Sequence, residues 1–151
     1  IELLDVGYML AMTANADVNN FAVDRYGNVF GENGSFRLIT PEELKKEKVS
    51  LPKQGLLTYS DDYLNLNEVA RDYPQMHEME LDHVDQLENT MEAMNARNQR
   101  VPLFLRDDSG EIHIIPLDKK ELKLAEGKLS LVYLGKEVNT QNTAPAAKQV
   151  P

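Results

Sequence analysis

The stretch "GYMLAMTANADVNNFAVDRYGNVFGENGSFRLI", residues 7–39, constrains the fold more than any other part of the chain. Residues 8–12, YMLAM, are apolar on both faces, as a strand buried inside a parallel sheet requires. Thr13 ends that run, Asn15 has the side chain of a helix N-cap, and Asp17 lies in the first turn, where the helix dipole favours negative charge. Val18, Phe21, Ala22, Tyr26 and Val29 then recur at three- and four-residue spacings and define one apolar stripe. Gly31 and the Glu32-Asn33-Gly34 cluster stop the helix, and Phe36, Leu38 and Ile39 make the next strand. Strand, crossover helix and strand give a parallel pair. Residues 8–12 and 36–39 are therefore expected to be neighbours, with Val18, Phe21, Ala22 and Val29 covering one face of their sheet.

The rest of the chain divides by composition. Ile1 and Leu4 share a helical face and read as the last turn of a helix. Residues 40–55, TPEELKKEKVSLPKQG, open with a Thr-Pro helix start and form a charged linker. Residues 56–59 then read as a short strand, and Leu66, Val69, Ala70 and Tyr73 mark a helix that Pro74 ends. Residues 76–81 form a strand, and Val84, Leu87, Met91 and Met94 mark a helix capped by Asp82. "VPLFLRDDSGEIHIIPL" is a hairpin around the turn Asp107-Asp108-Ser109-Gly110, and residues 129–134 give a last strand. From Val138 on there is no apolar periodicity, and the segment reads as a flexible tail. The expected fold is α/β: the second half of a Rossmann-like parallel sheet with its linker (1–48), a small α/β module with a hairpin (49–137), and the tail (138–151).

Charge and composition narrow the partners. The 25 acidic residues outnumber the 16 basic ones, and the net charge of −9 repels nucleic acid and anionic lipid. No apolar run approaches the ~20 residues of a membrane span. With no cysteine, disulfides and thiolate metal sites are excluded.

Residues that could carry chemistry are few. His77 and His83 are six apart in a stretch that alternates like a strand, whereas a zinc-protease pair stands at i and i+4 on a helix. His113 lies in a hairpin arm between Ile112 and Ile114, and reads as structural. Ser60-Asp61-Asp62 and Asp107-Asp108 lack the alternating oxygen ligands of a calcium loop and read as turns and caps. Met91 and Met94 read as core. There is no phosphate loop and no nucleophile elbow, so no catalytic activity, no metal site and no cofactor of its own are expected. The remaining candidate is "TANADVNN". It is a well-capped helix start, and it stands at the carboxyl end of a parallel strand, where open α/β sheets place ligands. Thr13, Asn15 and Asp17 are its candidate ligand-binding residues.

As a whole, "LAMTANADVNNFAVDRYGNVFG" resembles the second half of TrkA-N (RCK) domains, where an apolar strand ends in Thr and is followed by a small polar run, an acidic residue and Asn. It is more closely similar to the cytoplasmic extension of bacterial NhaP-like sodium/proton antiporters of the monovalent cation:proton family. Asn15, Asp17, Val18 and Asn19 would lead the helix and Val29-Phe30-Gly31 would end it. "VPLFLRDDSGEIHIIPL" resembles that family's terminal segment, although Glu126-Gly127-Lys128 stands where the family has Gly-Asp. The resemblance covers residues 7–38 and 101–134. It implies a regulatory domain of an inner-membrane transporter, facing the cytoplasm and coupling ligand, ion or pH to its own transmembrane domain. It also implies that the membrane domain and the glycine-rich nucleotide turn lie upstream of Ile1, so that nucleotide binding would belong to the intact protein. A regulatory subunit of a potassium channel or uptake system, or a fragment of a soluble nucleotide-dependent enzyme, are the alternatives. A homodimer is expected, either through the open sheet edge near Ile1 with Leu3, Leu4 and Met9, or through residues 101–134.

Overall fold

The computed structural model describes residues 7–31, 34–46, 54–56, 63–95, 99–117, 122, 124 and 126–139. Two sheets carry the fold. The first is parallel, with β1 (Met9–Ala11), β2 (Ser35–Leu38) and β3 (Gly55–Leu56) in the order β1-β2-β3. The helix α1 (Ala16–Phe30) joins β1 to β2, and the short α2 (Pro41–Lys46) follows β2. Met9 stands beside Ser35 and Ala11 beside Arg37, so the parallel pairing expected from the sequence is present. Gly34 lets the chain re-enter the sheet under the end of α1: a Cβ there would come within 2.1 Å of the Phe30 carbonyl oxygen. At α2, Thr40 and Glu43 cap reciprocally, Glu43 N–H donating to Thr40 Oγ1 and Thr40 N–H to Glu43 Oε2. The Thr-Pro start is thus a capping box.

The second sheet is antiparallel. It holds β4 (Met76–Leu81), β5 (Arg100–Asp107), β6 (Ile112–Ile114) and β7 (Leu129–Gly135) in the order β4-β7-β5-β6. Helix α3 (Tyr63–Asp72) precedes β4, and α4 (Gln86–Asn95) lies between β4 and β5. Both faces of this sheet are covered. Leu105, Leu129, Leu131 and Tyr133 pack with Leu87, Met91 and Met94 of α4. On the other face Val101, Leu103, Ile114 and Leu134 join Phe36, Leu38, Leu56 and Val69. The second core therefore links the parallel sheet, α3 and the antiparallel sheet. Backbone contacts reinforce the junction: Leu117 N–H donates to the Gly55 carbonyl at 2.8 Å, and the Tyr8 hydroxyl to the Ile112 carbonyl at 3.1 Å.

Strand β5 serves both cores because it is bulged. Pro102 pairs with Tyr133 and Phe104 with Val132, so Leu103 is an extra residue and the alternation changes phase there. Pro102 has no N–H to donate, and it lies where β6, which pairs only with Phe104 to Arg106, does not reach.

Three expectations are corrected. The stripe Val18, Phe21, Val29 does not cover the parallel sheet: Phe21 is 67% exposed, Val29 61% and Val18 50%, with Ala22 half-buried, while Asn19 and Val23 are buried. Asn19 must point inward to satisfy the backbone of Thr13, and Val23, four residues on, turns inward with it. The expected strand at residues 56–59 begins at Gly55, and β3 pairs with β2 in the parallel sheet; residues 57–59 lie outside the described ones. Helix α4 starts at Gln86, not next to Asp82, because His83 and Val84 accept from Gln86 N–H and Leu87 N–H in a tight turn first. Val84 is accordingly exposed. The expected helix turn at residues 1–4, the apolar residues Leu3 and Leu4, the Ser60-Asp61-Asp62 loop and the tail beyond Asn139 also lie outside the described residues. Among those described, no helix is long and apolar enough to cross a membrane.

Candidate functional site

Thr13, Asn15 and Asp17 lie in the loop at the carboxyl end of β1 and the first turn of α1. The side chains of Thr13 and Asn15 are engaged within the loop itself. Asn15 Oδ1 accepts from the N–H groups of Asp17 at 2.9 Å and Val18 at 3.1 Å, which makes it the N-cap of α1. Asn19 closes the loop from inside: its Oδ1 accepts from Thr13 N–H at 2.9 Å and from the Thr13 hydroxyl at 2.7 Å, and its Nδ2 donates to the Thr13 carbonyl at 2.9 Å. Two of the first-turn N–H groups that a ligand would use are thus taken by Asn15. The Asp17 side chain is exposed and stands at the rim. Asn19, the buried keystone of this loop, went unmarked by the apolar periodicity because it is polar.

A second group of polar side chains converges on the β5–β6 turn. Asp107 lies across from Glu111, and two residues along β6 stands His113, paired in register with Leu105. All three side chains therefore share one face, and one ligand atom from each lies within 4.8 Å of the others. Asp107 Oδ1 accepts from Ser109 N–H at 2.9 Å, the Ser109 hydroxyl at 2.5 Å and Glu111 N–H at 3.0 Å. Its Oδ2 lies 2.9 Å from His113 Nε2. Hydrogen bonds from His113 and Ser109, with those from the Glu111 and Ser109 backbone, hold the Asp107 carboxyl well below the usual carboxylate range. Gly110, at φ 85°, completes the three-residue loop in the left-handed conformation.

Chemically, one imidazole and two carboxylates form a donor set that a divalent ion accepts. In this arrangement Asp107 Oδ1 takes three hydrogen bonds from the turn, and Oδ2 faces His113 Nε2. Through that contact the His113 ring braces the turn. His77 instead stacks on Tyr133 with ring centroids 5.6 Å apart, and His83 is exposed in the turn before α4, so those two histidines form no pair. The sequence reading missed Glu111 as a member of the cluster; counting residues across the turn would have placed it opposite Asp107.

The hairpin turn separates two clefts. An open one of about 700 Å³ lies between it and the amino end of the parallel sheet, lined by Tyr8, Phe30, Gly34 and Glu111 among others. A smaller one of about 370 Å³ is lined chiefly by charged and polar residues, including Glu80, Arg106, Asp108 and Lys128. No known family model, curated protein or solved structure matches this chain.

Proposed function

We propose that this chain is the cytoplasmic regulatory module of a bacterial sodium(potassium)/proton antiporter, a domain that biases transport without catalysing a reaction itself. One observation carries the reading. The two stretches with the sequence resemblance, residues 7–38 and 101–134, meet in a single core through Phe36, Leu38, Val101 and Leu134. In the first stretch, β1, α1 and β2 form a parallel strand–helix–strand unit, with the Thr13–Asp17 loop at its carboxyl end. A shared core lets a change at that loop, or at the Asp107 turn, alter the arrangement of the whole module. Linkage then requires that the same bias reach any membrane domain that responds to the arrangement.

The test is proton exchange by the full-length gene product in everted membrane vesicles, followed by a fluorescent pH-gradient dye. Sodium- or potassium-driven exchange is expected, and removing residues 1–151 should leave exchange intact while changing its dependence on pH or cation concentration. A gene product that restores potassium uptake only in trans, or one that turns over a nucleotide, overturns the antiporter reading.

A further inference from the structure

The helix face that the sequence marks as apolar has no cover among the described residues. Phe21, Val29, Val18 and Tyr26 are 67, 61, 50 and 47% exposed. At 100° per residue, Asp17, Phe21, Arg25 and Val29 follow one another along a single i, i+4 row, with Val18, Ala22 and Tyr26 on the row beside it. The four large side chains leave roughly 450 Å² open, within the ~300–600 Å² of the largest patch on a typical monomer, which is often functional.

That row is complementary to its own reverse. In two antiparallel copies of α1 related by a two-fold axis at Phe21, the phenyl rings meet on the axis. Four residues to either side, Asp17 of one copy then stands across from Arg25 of the other. Four residues is about 6 Å of helix, so both side chains can reach even at the ~50° crossing of rows packed in this way. Neither the Asp17 carboxylate nor the Arg25 guanidinium has an ion-pair or hydrogen-bond partner among the described residues. A row with an acid before the phenyl and a base after it matches its own reversed image better than a partner surface of one sign. We infer that the exposed face of α1 is a two-fold interface and that its occupant is the same face of a second copy of this chain. This stands independently of the transport reading. At roughly 900 Å² in total the contact belongs with small, transient interfaces, so the dimer is weak and concentration-dependent.

The chain has no cysteine, which makes cross-linking a clean test. Phe21→Cys in the full chain puts two thiols on the axis, where mild oxidation should join them far faster than in an Asp72→Cys reference at the exposed end of α3. Sedimentation across a concentration series should show reversible dimers. Arg25→Asp should weaken them about five-fold or more, and Asp17→Arg combined with Arg25→Asp should restore them to within about two-fold. Folding of each variant is checked by circular dichroism, and the double exchange guards against a loss that merely reflects a damaged helix. Monomers up to ~1 mM would overturn the proposal and give the face to another protein or segment. Equal cross-linking at positions 21 and 72, or dimers indifferent to Arg25→Asp, would overturn it as well.

Discussion

Asn19 and Asp107 each commit a whole polar side chain to the loop around them, and their loss has different signatures. Asn19→Ala leaves the Thr13 N–H and C=O without their side-chain partner at a part-buried position. A loss of about 1–3 kcal/mol is expected, seen as a lower urea midpoint at unchanged slope. Asp107 acts through its charge. Its carboxyl titrates below the usual range, so its contribution is complete above that range and is lost as pH falls through the folded-state value. His113→Ala should bring that value back up. The variant should then be less stable than the parent at pH 7, and the two should converge in acid, in urea melts taken across pH. A difference that stays constant with pH would mean that His113 works by packing alone. The turn itself was legible because Asp, Ser and Gly have local conformational preferences. The meeting of Asp107, Glu111 and His113 was not, because it depends on which residues face each other across two strands.

Helix α1 was legible in its limits and its cap, yet its orientation was not. Periodicity gives the rows of a helix, and the row that faces inward is decided by what it must meet. Here the buried pair is Asn19 and Val23, and the longer apolar row with Phe21 faces out. Substitution at Phe21 should therefore change monomer stability by no more than about 0.5 kcal/mol, where a core position would have cost about 3–5. Val23→Ala should cost about 2 kcal/mol, two buried carbon groups at ~0.8 each plus a small cavity. Thermal or urea melts at low protein concentration compare the two variants without a contribution from self-association. A Phe21 variant worse than the Val23 variant would reverse the assignment of faces.

At the scale of the molecule, β7 holds both cores together. Leu129, Leu131 and Tyr133 point toward α4, while Leu134 points toward the parallel sheet. Leu131→Ala, at a fully buried site, should cost about 2–5 kcal/mol. Because the second core spans both sheets, hydrogen exchange in α1 should accelerate together with exchange in α4. Protection that survives in α1 while it is lost in α4 would separate the two sheets into independent units. The run LSLVYL announced a strand in the sequence, apolar at almost every position. Its place between β4 and β5 was not announced, since strand order depends on pairings far apart in the chain.

The extra residue Leu103 has a consequence for how β5 is written. Ahead of it, one parity of positions faces the parallel sheet; beyond it, the same parity faces α4. Removing Leu103 would close the ladder into plain alternation, with Pro102 still opposite Tyr133, Phe104 opposite Val132 and Leu105 still toward α4. What the strand would give up is the Leu103 side chain in the second core and the local bend of the bulge, both of which another apolar residue at that position keeps. The surplus residue thus acts as a splice, letting two stretches of opposite phase run as one strand beside an unbroken partner.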